Sequence, residues 1–253
     1  MGGHKASRPR VAFFDFASCE GCQLTVVDSL QRYPDLLEAV EIVQFREAMS
    51  ERGEDYQVAF VEGSCTRPSD EARLLAVRKQ AKYVVALGAC AHIGGVNAGC
   101  HGKDPDELRR RVYGPAGDSI ETGEARPIGS VIDVDAVIPG CPIDRDEFIR
   151  GVRCLLQGRL PRLPDTPVCY ECKLRENECL IRHGQVCLGP ITRAGCGALC
   201  PTYGTGCEAC RGLVPDANQA SLRTIFAEHG LATEASEAAL ELFLRRELAV
   251  QEV

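Results

Sequence analysis

Eight cysteines fall between Cys169 and Cys210, and a CxxC at Cys19 and Cys22 sits near the other end of the chain. In order, the eight are Cys169, Cys172, Cys179, Cys187, Cys196, Cys200, Cys207 and Cys210, and the stretch both opens and closes with a CxxC. Eight thiols so close together exceed what packing alone needs. They bridge one another or hold metal. The total of 15 cysteines is odd, so complete intrachain pairing is impossible. The first ten residues show neither an apolar signal core nor twin arginines, so the expected compartment is the cytoplasm, where disulfides do not persist. Metal is the expectation.

The elements that must position these thiols are legible as alternating patterns. Short apolar runs at 11–16, 40–45, 57–61, 83–87 and 131–138 predict strands, and helical spacing at 24–30, 70–80 and 144–156 predicts helices. Alternation of this kind implies an α/β fold, a flavodoxin-like doubly wound parallel sheet. Residues 94–127, rich in Gly, Pro and charge, read as a long surface excursion. Pro161, Pro164 and Pro167 mark a linker. Beyond it, 169–212 lacks sustained periodicity. The stretch looks too poor in apolar residues to fold unaided, so metal is expected to supply folding energy. Two helices close the chain, with Leu222, Ile225 and Phe226 on one and Leu240, Phe243, Leu244 and Leu248 on the other; core packing or docking on a partner accounts for both stripes. The expected division is 1–160, a flavodoxin-like domain, and 161–253, a cysteine-rich, mostly irregular domain with terminal helices.

In this arrangement Cys19 and Cys22 follow the first strand, Cys90 follows the strand at 83–87, and Cys141 follows the strand ending at 138. Carboxyl ends of strands in an open parallel sheet meet along one edge, where ligands bind. Four thiolates converging there match the ligand number of a 4Fe–4S cluster. Gly21, Gly88 and Gly140 let the backbone come close to it. A phosphate site in the first loop is disfavoured, because Glu20 would repel the anion. The C-terminal eight divide as Cys169, Cys172, Cys179, Cys187 and Cys196, Cys200, Cys207, Cys210, although interleaved ligation also occurs in two-cluster ferredoxins. Zinc, which also takes four cysteines, remains open beside iron–sulfur at this level. Cys65 is expected near the first set without ligating, and Cys154 is expected to be packed on a helix. Cys100 has no assignment. Glu62 reads either as a surface carboxylate or helix cap, or as a carboxylate at a subunit contact. His92 reads as a surface or packing residue.

The motifs Ala17-Ser18-Cys19-Glu20-Gly21-Cys22-Gln23-Leu24, Glu62-Gly63-Ser64, Gly88-Ala89-Cys90 and Pro139-Gly140-Cys141-Pro142 resemble the small subunit of nickel–iron hydrogenases. The run from Cys187 to Cys210, followed by Arg211-Gly212, is similar to the delta subunits of soluble sulfhydrogenase-type, NAD(P)-linked enzymes. The resemblance covers roughly residues 10 to 245, with a weak stretch at 94–130. It implies three 4Fe–4S clusters: a proximal one on Cys19, Cys22, Cys90 and Cys141, a medial one on Cys196, Cys200, Cys207 and Cys210, and a distal one on Cys169, Cys172, Cys179 and Cys187. His183 is a weaker rival to Cys179. It also implies an electron-transferring subunit whose partners are a large subunit bearing the nickel site and iron–sulfur and flavin NAD(P)-binding subunits. The chain itself lacks the further CxxC pairs a nickel site needs. Alternatives are a complex I-like iron–sulfur subunit and a zinc-stabilised binding module. The formal charge of −7 and the absence of a Lys/Arg block argue against a nucleic-acid surface. No apolar run is long enough to span a bilayer.

Overall fold

The computed structural model describes residues 8–251. Residues 1–7, part of the stretch inspected above for targeting features, and the last two residues lie outside the described residues. Five parallel strands form one sheet: β1 (Arg10–Asp15), β2 (Glu41–Phe45), β3 (Val58–Glu62), β4 (Tyr83–Leu87) and β5 (Ala136–Ile138), in the order β2-β1-β3-β4-β5. This is the flavodoxin-like order, with its switch point between β1 and β3.

Alternation along each strand sends side chains to opposite faces. On one face Phe13, Phe45, Phe60, Leu87 and Ile138 pack beneath α1 (Gly21–Arg32) and α6 (Arg145–Leu156), which contribute Val26, Phe148 and Ile149. The Phe13 ring stacks on Phe45 and Phe60 at 4.4 and 5.0 Å between centroids. On the other face Ala12, Phe14, Ala59, Val61 and Val84 pack against Leu74 and Val77 of α3 (Pro68–Gln80) and against Ile128 and Ile132.

Two sequence expectations shift. Only the last three residues of the run 131–138 form a strand. The preceding segment is held as a turn by the Ile132 N–H to Ile128 O bond, and the Asp135 carboxylate accepts from the Val84 N–H and from Arg78. The excursion at 94–127 is not structureless. A 3-10 turn at Val96–Cys100 leads to α5 (Pro105–Tyr113), which Asp104 caps by accepting from Asp106 N–H. Two short helices, α2 (Asp35–Ala39) and α4 (Gly88–Ile93), complete this half.

The cysteine-rich segment builds a core of its own. Around α7 (Val168–Leu174) and α8 (Leu199–Thr202), Val168, Leu188, Ile191 and Leu213 are buried with Leu222 and Phe226 of α9 (Gln219–Glu228) and Leu240 and Leu244 of α10 (Thr233–Gln251). The segment's own apolar poverty is thus made good by the two closing helices. Phe243 reaches further, packing on Ala89 and Ile93 of α4. Helix α10 therefore lies against the sheet domain as well as the cysteine-rich core. Among the described residues no helix is long and apolar enough to cross a membrane.

Asp70, fully buried, starts α3 by accepting from the backbone N–H groups of Thr66 and Arg67 and from the Arg67 guanidinium. Burial alone would push its carboxyl up. The Arg67 hydrogen bonds and the backbone donors outweigh it and hold the group below the ordinary carboxylate range. Its contribution to stability is therefore full above the unfolded value and is lost as pH falls through the folded one. Replacing Asp70 with Asn removes the charge paired with Arg67 and should cost about 1–3 kcal/mol of stability near neutrality. Thermal unfolding against pH should show the deficit narrowing in acid.

Candidate metal sites

The first thiol set is made by three strand ends. Cys19 and Cys22 stand after β1, Cys90 is on α4 directly after β4, and Cys141 lies just beyond β5. Cys22, Cys90 and Cys141 act on one another's ionisation, and Cys19 acts on Cys90 and Cys141. Burial raises the Cys22 thiol well above its ordinary value, with Glu62, Cys90 and Cys141 adding to the shift. Cys90 is pushed up to about 12 by burial, then by Cys141, Cys19 and Glu62. Cys141 is raised by burial and by Cys19. Residues more than a hundred positions apart thus share one electrostatic site.

Glu62 supports this set from behind. It is 2% exposed, and its two oxygens accept from the N–H groups of Cys22 (3.1 Å) and Gln23 (3.0 Å) at the start of α1. It is a buried helix cap next to Cys22 rather than a surface carboxylate, and burial raises its own carboxyl. Gly88, at φ +82°, makes the approach of β4 possible, because a Cβ there would overlap the Cys22 sulfur.

The remaining eight thiols separate into two groups. Cys169 is pushed up to about 12 by burial and then by Cys187, Cys172 and Cys179. The sulfur atoms of Cys169 and Cys187 both lie 3.5 Å from the position a Cβ on Gly189 would take. Cys210 is pushed up to about 12 by burial, with Cys196, Cys141 and Cys200 adding to it. Cys200 is raised by burial and then by Cys196, and Cys207 by burial, with smaller contributions from Cys187 and Cys210. Cys169, Cys172, Cys179 and Cys187 act on one another, as do Cys196, Cys200 and Cys210, while Cys207 is acted on first by Cys187 and then by Cys210. A cavity of about 480 Å³ lies between the sheet domain and the second group, with Cys141, Cys196, Cys200, Cys207 and Cys210 on its wall.

The three sets are stitched to one another. The backbone of Cys141, in the first set, acts on the Cys210 thiol in the second, lowering it against the effect of burial. The backbone N–H of Cys207, in the second, donates to Cys187 Sγ in the third at 3.2 Å. Glu171, inside the Cys169–Cys172 turn, accepts from the N–H groups of Gly195 (2.9 Å) and Ala198 (3.2 Å), which flank Cys196. Arg211 is 1% exposed. Its guanidinium forks onto both Glu147 oxygens at 2.7 and 2.8 Å and donates to the carbonyls of Pro139, Arg193 and Ala194. By pattern alone Arg211 stands out only as part of a motif, and Glu171 and Glu147 escape notice. A Glu inside a CxxC and an Arg directly after the last cysteine were the available signals.

The other singled-out residues lie apart from these sets. Cys65 is fully buried in the α3-side core, where its sulfur accepts from Arg126 at 3.6 Å; its charged neighbours are Arg126, Asp70 and Glu71. Cys154 is half-buried on α6 and Cys100 is exposed after the 96–100 turn. His183 pairs with Glu178 at 3.0 Å. His92 is half-buried beside Gly212, and partial burial followed by Arg193 and Arg211 lowers its imidazole to about 4.

Four cysteines per set suit an iron–sulfur cluster and are also the number a structural zinc takes. Among the described residues no group of three or more His, Cys, Asp or Glu side chains is close enough together to hold a single metal ion.

Comparison with known proteins gives the following likenesses. A family model described as NADH ubiquinone oxidoreductase, 20 Kd subunit, matches residues 19–155. The sulfhydrogenase 2 subunit delta of Pyrococcus furiosus is 37% identical over 211 residues, covering 83% of this chain and 88% of that protein. A subunit of the F420-non-reducing hydrogenase vhu of Methanococcus voltae is 32% identical over 240 residues, covering 82% and 83%. Among solved structures, a chain of an NAD+-reducing [NiFe]-hydrogenase in the H2-reduced state superposes with a TM-score of 0.57 at 26% identity, over 62% of this chain and 96% of that one. A chain of the actinobacterial-type NiFe-hydrogenase of Ralstonia eutropha H16 shares the fold at TM-score 0.62 and 14% identity, over 97% and 90%.

Two substitutions check this geometry. Gly88→Ala should lower stability by about 1–3 kcal/mol through its left-handed backbone and the crowding of Cys22, seen as a lower melting temperature. Cys65→Ala should leave the metal content of the purified protein unchanged, measured by elemental analysis.

Proposed function

The chain belongs to the small subunits of nickel–iron hydrogenases, within the wider family that includes the 20 kDa subunit of NADH ubiquinone oxidoreductase, and from that premise we propose that it carries three 4Fe–4S clusters in series. Cys19, Cys22, Cys90 and Cys141 hold the proximal cluster. Cys196, Cys200, Cys207 and Cys210 hold the medial one, and Cys169, Cys172, Cys179 and Cys187 hold the distal one. What supports this reading is that the thiols of each proposed set act on one another, with Cys207 acted on by both Cys187 and Cys210.

When bound, such clusters supply one-electron transfer. The chain's own residues supply the rest. Glu62 and α1 orient Cys22, and the glycine-flanked strand ends bring Cys90 and Cys141 to it. Leu188, Ile191, Phe226 and Leu240 exclude water from the inner sides of the C-terminal sets. Cys19 and Cys141 of the proximal set, Cys200 of the medial set and Cys179 of the distal set are exposed. In this proposal a nickel–iron large subunit meets the proximal end, and an iron–sulfur or flavin subunit linked to NAD(P) meets the distal end. The likeness to a chain of an NAD+-reducing enzyme supports that choice of acceptor, and a cytoplasmic location goes with it.

Anaerobically isolated complex should contain about 12 iron atoms and as many sulfides in this chain. Cys172→Ser should remove only the distal set's paramagnetic signal, leaving the other two. Zinc in place of iron would end the reading. Mass spectrometry of the copurified subunits tests the acceptor: a flavoprotein with a nucleotide site supports the NAD(P) assignment, and its absence removes that assignment alone.

A further inference from the structure

We propose that Arg211 is a positioning residue that fixes the separation of the proximal and medial clusters and, through its pairing with Glu147, sets the medial potential. The inference rests on the three-cluster reading above.

The donors of one side chain reach three segments that bear cluster ligands or pack against them. Nη1 donates to the carbonyl of Pro139 (3.1 Å), two residues before Cys141 of the proximal set. Nε donates to the carbonyls of Arg193 (3.1 Å) and Ala194 (2.9 Å), the latter two residues before Cys196 of the medial set. Arg211 itself follows Cys210, another medial ligand. Nη1 and Nη2 then close on Glu147 of α6, which packs against the sheet. A flat guanidinium with five N–H donors can hold such a set in one geometry, whereas a lysine ammonium cannot.

The backbone is shaped to admit it. Gly195 sits at φ +121°, and a Cβ there would collide with Nη2 and stand 3.1 Å from Glu147 Oε1. The Arg211 side chain is 1% exposed and that of Glu147 15%, so water screens the pair poorly. The positive charge follows Cys210 directly in the chain and is held by hydrogen bond to Ala194, two residues before Cys196. Net charge and hydrogen bonds near a cluster set its potential, and a nearby cation favours the more negative, reduced state.

The test uses the anaerobically isolated complex carrying Arg211→Gln, Arg211→Lys or Glu147→Gln, with iron per chain, a redox titration of each paramagnetic signal, and the magnetic splitting between reduced proximal and medial clusters. Arg211→Gln removes the cation and leaves Glu147. At the wild-type midpoint the oxidised-to-reduced ratio of the medial cluster should rise about tenfold, a shift of about 59 mV to lower potential. Glu147→Gln leaves the cation uncompensated and should move that ratio the opposite way, with the distal cluster unmoved in both. Arg211→Lys keeps the charge, so the medial ratio should stay within about threefold of wild type while the magnetic splitting changes. Selective loss of the proximal and medial signals with the distal one retained also supports the role. The proposal is overturned if both charge variants shift the medial cluster in the same direction, if neither shifts it at full iron content, or if iron falls equally from all three sets. Wild-type complex without iron would sink the three-cluster reading itself, before any variant is compared.

Discussion

Thiolates buried beside one another are tolerable only if something neutralises them. A buried thiol resists ionisation, and each neighbouring thiolate makes the resistance greater. Cys22, Cys90, Cys169, Cys207 and Cys210 all show that double effect, burial first and neighbouring sulfur after it. Metal binding requires the thiolate and releases the proton, so ligand binding and folding are coupled at these sites. The glycines, carboxylate caps and buried guanidinium are the means by which this chain brings twelve such groups together.

Those supports are ordered along the molecule. Glu62 steadies the proximal set by capping α1. Arg211 joins the proximal and medial segments, and Glu171 joins the medial loop to the helix of the distal set. A backbone N–H of Cys207 donates to the sulfur of Cys187, linking two of the cysteine segments directly.

Helix α10 has a second structural role. Its Leu240 and Leu244 complete the core under the cysteine-rich segment, while Phe243 reaches Ala89 and Ile93 beside Cys90. The division read from the linker prolines is therefore bridged at two places, by α10 and by the Arg211–Glu147 pair.

The sequence alone carried the strand–helix alternation, the placement of Cys19, Cys22, Cys90 and Cys141 at strand ends, and the family. Each of these depends on local periodicity or on residues close together in the chain. The stretch before β5 misled because Val131, Ile132 and Val134 look strand-like, while Asp135 takes its hydrogen bonds sideways from Val84 and Arg78. The helix inside the excursion was hidden by its flanking glycines and prolines. Only the tertiary structure decided that Glu62 is a buried cap, that Cys65 belongs to Arg126, and that Arg211 ties distant segments together. Those are facts about which groups meet across 40 to 72 positions of chain, and an individual side chain's partner at that range is set by packing rather than by pattern.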